Sequence, residues 1–263
     1  MPRTAGVHSH PYFKLGKAAA KRDPRNLKFA AILRAPQPVP PEYDFDAKHP
    51  GIPLPMFGND VLGDCVMAGR AHQTLRFEDV EQHKIVSITD TAVKREYFKE
   101  SGGVDSGLVV LDSLKEWRVN GWRVGGRVYR IQAFSEITPR EPEGLKQAVY
   151  LDIGAGLGLE LPKSAEDQIN AGKPWDVVSG SRGVPNSWGG HYVYVPGYTT
   201  IGPVCITWGR KQQMTWAFFR KYCDEAYAII DAIDTAKKRK ALDGRKLQAF
   251  LDSLKTRVRP RAA

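Results

Sequence analysis

The spacing of hydrophobic residues divides this chain into a helical first half and a strand-rich second half. Apolar and small residues recur at helical intervals from Cys65 to Phe77, and this periodicity predicts a helix that begins at or near Cys65. Two more helices are predicted over 89–100 and 107–119, and the second carries an apolar stripe with a spacing of three residues. The first half is therefore predicted to consist mainly of helices.

Beyond Gly121 the pattern becomes typical of β-strands. Residues 122–137 alternate between polar and apolar side chains and are rich in β-branched and aromatic residues. The following segments predict, in order, a short helix and three strands, over 141–152, 153–162, 189–200 and 202–209. A final helical segment is predicted from Thr215 to Lys240. Helices followed by antiparallel strands indicate an α+β fold.

Both ends of the chain are basic. Residues 1–34 hold eight Lys or Arg against one Asp, and residues 237–263 hold ten against two, so the centre of a chain with net charge +10 carries −5. Such ends suit contact with an acidic partner, either a nucleic acid or an acidic protein surface. They suit equally well a solvated role that keeps the protein soluble.

Three parts follow from these patterns. Residues 1–42 are predicted to form a basic arm, with a short helix over 24–34, and the start of a proline-rich strap that crosses the surface of the protein. Residues 43–222 are predicted to form one domain. Residues 223–263 are predicted to form a basic helical extension at the C-terminal end.

The composition of the chain excludes several classes of protein. No stretch approaches the roughly 20 apolar residues of a membrane span, and the N-terminus lacks the apolar core of a secretory signal, so we expect a cytoplasmic protein without membrane contact. Three cysteines are too few for a disulfide framework, and no cluster has the spacing of zinc ligands. We therefore expect reduced thiols, no metal and no cofactor.

Cys65 stands where a thiol can be activated. A cysteine at a helix N-terminus lies at the positive end of the helix dipole, which favours the thiolate. The backbone N–H of Cys65 and the side-chain amide of Asn59, six residues upstream, are available to donate to an oxyanion. Asp64 directly precedes the helix, and we expect it to cap the helix rather than to oppose the thiolate with its charge.

These residues resemble the two halves of the active site of papain-like cysteine peptidases. GNDVLGDCVMAGRAH resembles the cysteine motif of that family, with Asn59 in place of a glutamine six residues before the nucleophile. GGHYVYVPGY resembles the strand that begins with the catalytic histidine. The resemblance implies Cys65 as nucleophile, His191 as base and Asn59 as oxyanion donor. It also implies a papain-like fold, with a helical half opened by the Cys65 helix and an antiparallel β half that carries His191.

The strand after the histidine departs from that family. Papain-like peptidases end this strand in Asn-Ser-Trp-Gly, whereas this chain has ITWG, so the asparagine that orients the histidine would fall on Ile206, which accepts no hydrogen bond. Thr207 and a carboxylate from Asp224 or Glu225 remain open as groups that orient the ring. Trp208 is expected, from the resemblance, to shield the site.

Two functions follow from these patterns. The resemblance, which covers about 43–220, favours an enzyme, a cysteine peptidase that hydrolyses peptide or amide bonds of a polypeptide substrate. The missing asparagine and the basic ends favour instead a non-catalytic papain-fold protein that binds or assembles with protein partners through its arms. The layout also resembles papain-like proteins of tailed phages and prophages, which implies a virion component or a virion-associated location.

Overall fold

The chain folds into helices that cluster around one long helix and strands that form one large sheet and a separate two-stranded sheet within 122–129. The computed structural model describes residues 13–232 and 235–257, and of residues 255–257 the backbone alone. The described helices are α1 (Phe29–Ile32), α2 (Phe45–Lys48), α3 (Cys65–Gln82), α4 (Asp90–Glu100), α5 (Val110–Val119), α6 (Pro142–Tyr150), α7 (Lys163–Asn170), α8 (Trp216–Tyr222), α9 (Ala236–Ala241) and α10 (Gly244–Arg257). The described strands are β1 (Tyr43–Asp44), β2 (Trp122–Val124), β3 (Arg127–Tyr129), β4 (Ala133–Glu136), β5 (Ala155–Leu161), β6 (Gly189–Tyr198), β7 (Pro203–Thr207), β8 (Arg210–Gln213) and β9 (Cys223–Ile230).

An antiparallel sheet occupies the second half of the domain. Within the described ranges it has seven strands, in the order β4, β9, β5, β6, β7 and β8, with β1 paired to the end of β6. Strand β6 lies inside the sheet, because β5 pairs with it from Gly189 to Val195 and β7 pairs with it from Tyr194 to Tyr198. The register between β6 and β7 shifts between Tyr194 and Gly197. The start of β6, where His191 lies, is thereby held in the interior.

Helix α3 packs across the sheet on strands β6 and β7. Gly69 lies at the crossing, and a Cβ at that position would come within 2.6 Å of the ring of Tyr192, so a glycine permits the close approach. Helix α3 and strand β6 are therefore in direct contact. Cys65 and His191 belong to these two elements.

A buried ion pair ties α3 to the other helices of its half. Arg70 Nη1 lies 2.7 Å from Glu100 Oε1 of α4, and its Nη2 donates to the backbone oxygen and the hydroxyl of Ser113 in α5 at 2.7 and 2.6 Å. The side chains of Arg70 and Glu100 are 2% and 6% exposed. Because a buried guanidinium needs all of its donors satisfied, this group fixes the three helices relative to one another.

Several predicted elements differ from the structure. The helix predicted over 24–34 is limited to α1, and the proline-rich segment contains β1 and α2. The helix predicted to run on from Thr215 is wrong over 223–230, because β9 forms there, between β4 and β5. An interior strand is apolar on both faces and so lacks the alternation that distinguishes a strand from a buried helix. Among the described helices, none combines the length and apolarity needed to span a bilayer.

Candidate active site

Cys65 is the first residue of α3, and its side chain is buried. The backbone N–H of Tyr192 donates to Cys65 Sγ at 3.4 Å, so the thiol lies against strand β6. Burial raises the pKa of Cys65 to about 12, although the backbone N–H groups of Tyr192 and Gly16 favour the thiolate. The thiol is therefore protonated in the structure as it stands.

His191 precedes Tyr192 in β6 and is also buried. Its Nε2 lies 2.7 Å from Thr207 Oγ1, and its Nδ1 has no hydrogen-bond partner among the described residues. The ring stacks on Trp208, with a centroid distance of 4.2 Å and an angle of 13° between the planes. Burial lowers the pKa of His191 to about 3, so the imidazole is neutral.

Thr207 is the candidate that contacts the imidazole. Ile206, where the sequence comparison placed the orienting asparagine, is a buried apolar residue of β7. Asp224 accepts a hydrogen bond from Lys17 Nζ at 2.7 Å, and Glu225 Oε1 lies 3.4 Å from the same nitrogen. The two carboxylates therefore pair with a lysine, and the ring is held by a hydroxyl.

Asn59 lies in the turn before α3 and is buried. Its Nδ2 donates to Leu62 O at 3.1 Å and to Lys14 O at 3.3 Å. Trp208 Nε1 donates to the same Lys14 oxygen at 3.1 Å. The amide that the sequence nominated as an oxyanion donor thus binds a carbonyl oxygen of the N-terminal arm.

Asp64 does not cap α3 with its side chain, contrary to the prediction. It holds the N-cap position without a side-chain cap hydrogen bond, and neither carboxyl oxygen has a hydrogen-bond partner among the described residues. Burial raises the pKa of Asp64 to about 8, against the favourable effect of Asn59 on the carboxylate. The carboxyl group is therefore mostly neutral at pH 7 and puts little negative charge beside Cys65.

Residues 13–18, here called the cleft segment, cover the two candidate catalytic residues. The segment forms backbone hydrogen bonds with both sides of the cleft: Lys14 N–H to Asn59 O at 3.2 Å, Lys17 N–H to Gly190 O at 3.1 Å, Ala18 N–H to Leu108 O at 3.0 Å, and Leu108 N–H to Gly16 O at 2.8 Å. It joins the start of β6 to the loop before α5. The cover contributes to the burial of Cys65 and His191, which are 1% and 0% exposed.

Glycines allow the cleft segment to lie deep between the two halves. A Cβ built on Gly16 would be 1.7 Å from Gly63 O. A Cβ on Gly107 would be 2.2 Å from Gly16 O, and one on Gly190 would be 2.3 Å from Lys17 O. No side chain fits at these distances, so backbone meets backbone along the cleft.

Aromatic rings close one end of the cleft. Phe13 packs on Trp208 with a centroid distance of 4.7 Å and meets Trp188 edge to face at 6.4 Å. Trp208, which was expected to shield the site, thus contacts both the His191 ring and the cleft segment. Its backbone has a φ of 43°, a left-handed conformation that is uncommon for a bulky residue.

At the other end, Lys17 extends into a pocket that contains two carboxylates. Its side chain is 2% exposed and pairs with Asp224 and Glu225. Burial raises the pKa of Glu225 to about 7, and Lys17 opposes that effect. Burial lowers the pKa of Lys17, but Glu225 and Asp224 outweigh burial and raise it above 10.5. Gly158 lines the pocket, and a Cβ there would lie 2.3 Å from Lys17 Cε.

A second group of acidic side chains lies apart from this site. Within the described residues, Glu78, Glu81 and Asp231 place carboxylate oxygens within 4.8 Å of one another, a geometry that could hold a cation. Burial raises the pKa of Asp231 to about 8, and the neighbouring Glu81 adds to the effect. These residues lie near the opposite end of α3 from Cys65 and take no part in the arrangement above.

The structure thus brings together most of the residues that the sequence nominated. One cleft is surrounded by Cys65, His191, Asn59, Thr207 and Trp208. Asp224 lies beside this cleft and pairs with Lys17 of the cleft segment. The sequence did not indicate the cleft segment or the acidic pocket. The described part of the basic arm packs on the domain itself.

Solved structures of cysteine proteases share this fold. Xylellain, a cysteine protease from Xylella fastidiosa, matches 86% of this chain and 100% of its own with a TM-score of 0.64 and 15% identity. The cysteine protease CMS1MS2 from Carica candamarcensis matches 73% of this chain and 99% of its own, at a TM-score of 0.56 and 12% identity. Procathepsin B S9 from Trypanosoma congolense matches 83% of this chain and 87% of its own, with a TM-score of 0.59 and 13% identity.

The match with these structures confirms the predicted α+β, papain-like fold. No protein-family model and no curated protein sequence matches the chain. At identities of 10–15%, the likeness concerns the fold.

Proposed function

We propose that this protein is a papain-like cysteine peptidase that its own cleft segment holds in a latent state. The observation that carries the proposal is the placement of Cys65 at the start of α3, against the strand whose His191 is held at Nε2 by Thr207. Because Nε2 is engaged, Nδ1 is the ring nitrogen available to the thiol. A thiol at a helix N-terminus and an oriented imidazole on the strand that the thiol contacts are the two groups that nucleophilic catalysis requires, although no hydrogen bond joins Cys65 Sγ to Nδ1 within the described residues while the cleft is covered.

In the proposed reaction, Cys65 Sγ attacks the carbonyl carbon of a peptide bond while His191 takes the thiol proton. Asn59 Nδ2 and the Cys65 N–H donate to the resulting oxyanion. His191 then gives the proton to the leaving amine, the C–N bond breaks, and a thioester remains. Water hydrolyses the thioester, with His191 again as base, and restores the thiol.

The contacts of the cleft segment support both parts of the proposal, a polypeptide substrate and a latent resting state. The segment is itself a polypeptide that forms backbone hydrogen bonds with both sides of the cleft, as a bound substrate would. While it is in place, Asn59 is occupied by Lys14 O, and burial keeps the thiol protonated and the imidazole neutral. Catalysis therefore requires the segment to leave.

A second candidate function is a non-catalytic protein built on the same fold. It is favoured by Ile206, which stands where papain-like enzymes have an orienting asparagine, and by a site that is covered in the structure. In that case the basic residues of 1–34 and 237–263 would bind an acidic protein surface or a nucleic acid, and the protein could be a phage virion component. That role, and a cytoplasmic or virion location, remain predictions from the sequence.

A thiol-directed epoxide probe and a mixture of quenched fluorescent peptides separate the two functions. We expect Gly16→Ala, which should open the cleft, to be labelled at Cys65 and to hydrolyse peptides at neutral pH. Adding Cys65→Ser should abolish both readouts, and adding His191→Ala should abolish hydrolysis. Cys205→Ser, which removes a buried thiol of β7, is the matched control and should change neither. A folded Gly16→Ala protein without selective labelling or hydrolysis would support the binding protein instead.

A further inference from the structure

The pocket around Lys17 is a built feature of the domain. Asp224 and Glu225 are the second and third residues of β9, an interior strand, so their backbone cannot shift freely. Glu225 Oε2 accepts a hydrogen bond from the Tyr227 hydroxyl at 3.2 Å. Arg140 Nε donates to Cys223 O at 3.2 Å and secures the chain just before the two acids. The backbone that carries the two carboxylates is therefore held in position whether or not Lys17 is present.

Lys17 is the cation that both carboxylates of the pocket contact. Among the described residues, Lys17 alone brings a cationic nitrogen within ion-pair distance of either carboxylate. Asp224 Oδ1 has no hydrogen-bond partner in the described part of the chain, and Glu225 is 5% exposed. When the cleft segment leaves, these two largely buried acids lose the one cation that the described residues place within ion-pair distance, a state that another cation would stabilise.

The pocket also lies next to the candidate catalytic pair. The N–H of Lys17 donates to Gly190 O, directly before His191, and the backbone N–H of Gly16 acts on the Cys65 thiol. Lys17, whose side chain fills the pocket, therefore directly follows Gly16, whose backbone lies next to Cys65 Sγ. A polypeptide that replaces the segment would place one of its side chains in the same pocket.

We propose that Asp224 and Glu225 form a specificity pocket that selects a lysine or arginine side chain of the polypeptide substrate, close to the bond that is cleaved. This inference rests on the proposed peptidase function. Hydrogen bonds to charged groups have a net strength that corresponds to a preference of about 10- to 100-fold over an uncharged side chain of equal length. Glycine at 158 leaves the depth that a long side chain needs.

Cation binding by the pocket can be tested without any catalysis. Lys17→Ala removes the side chain beyond Cβ, and n-propylammonium supplies the missing atoms, with n-propanol as the uncharged control at matched ionic strength. We expect n-propylammonium to raise the unfolding temperature of Lys17→Ala and to leave the wild-type protein unchanged. Asp224→Asn with Glu225→Gln in the Lys17→Ala background should abolish the shift. Equal shifts in all three proteins would overturn the cation site.

Substrate selection is tested on the opened protein, Gly16→Ala, with a peptide mixture whose products are sequenced by mass spectrometry. We expect Lys or Arg at one fixed distance from the cleaved bond, and loss of that preference, with cleavage retained, after Asp224→Asn and Glu225→Gln. Cleavage without a basic preference would overturn the specificity pocket and leave the peptidase standing. A folded protein that cleaves nothing would overturn the peptidase and the substrate selection together, and the n-propylammonium shift would then establish only a cation site.

Discussion

Replacement of Gly16 by alanine is the smallest change that should expel the cleft segment. The added Cβ would lie 1.7 Å from Gly63 O and 2.6 Å from Gly63 Cα. Both are backbone atoms, and the overlap exceeds what a shift of a few tenths of an ångström can relieve. Neither glycine contributes a side chain to the proposed catalytic groups, so the substitution acts on the position of the segment.

The hydrogen bonds that the segment loses determine the size of the effect. Four backbone hydrogen bonds join residues 14–18 to the sides of the cleft. At a net contribution of about 0.5–1.5 kcal/mol each, their loss destabilises the covered state by about 2–6 kcal/mol. A change of about 4 kcal/mol shifts the ratio of open to covered molecules about a thousandfold. If Cys65 reacts only in open molecules, its alkylation rate should rise until the open state predominates.

The assay is the rate at which iodoacetamide alkylates Cys65, followed by peptide mass mapping. Gly126→Ala is the matched control, because Gly126 lies in the turn between β2 and β3 and a Cβ there meets nothing within 4 Å. We expect Gly16→Ala to react about a hundredfold faster or more, and Gly126→Ala to react like the wild-type protein. The reasoning is refuted if Gly16→Ala keeps the near-ultraviolet circular dichroism of the folded protein and Cys65 reacts no faster.

Three further substitutions test the site and its support. Thr207→Val should lower the free energy of unfolding by about 1–3 kcal/mol, because it leaves His191 Nε2 buried without a partner, whereas Thr207→Ser should not; urea denaturation measures both. Asp64→Asn should raise the free energy of unfolding at pH 7 by up to about 4 kcal/mol and have little effect near pH 4. The pKa of the Asp64 carboxyl is about 8 in the folded protein and 3.8 in an unfolded chain. The unfolded chain therefore releases this proton first, so the wild-type protein loses stability as the pH rises from about 4 to 8. Urea denaturation over that pH range measures the loss. Arg70→Met should cost about 3–5 kcal/mol in thermal or urea unfolding, because Glu100 would remain buried and unpaired, and Glu100→Gln added to it should recover part of the loss.

The parts of the site that are contiguous in sequence were predictable. The cysteine motif is continuous in sequence and leads directly into α3, and the histidine motif lies within β6. Thr207 was one of three open candidates, since spacing alone does not tell which residue of a strand meets a ring on its neighbour. The register shift between Tyr194 and Gly197 adds to that ambiguity.

The cleft segment could not be predicted, for a different physical reason. Its contacts with the cleft are mostly backbone hydrogen bonds and close approaches to glycine, and neither leaves a pattern of side chains in the sequence. Lys17 was counted with the basic arm, and its pairing with Asp224 and Glu225 joins residues about 207 positions apart. The strand β9 was mistaken for helix because both of its faces are buried.

The cleft segment belongs to the same polypeptide as the cleft that it covers, so it competes with every other ligand at an effective concentration set by its tether. Flexible tethers of modest length give effective concentrations of the order of millimolar, and a separate peptide of the same sequence would have to reach about that level to match it. A single cut between Ala18 and Phe29 would end this advantage. The segment would then be an ordinary dilute ligand, and dilution alone would keep the cleft open.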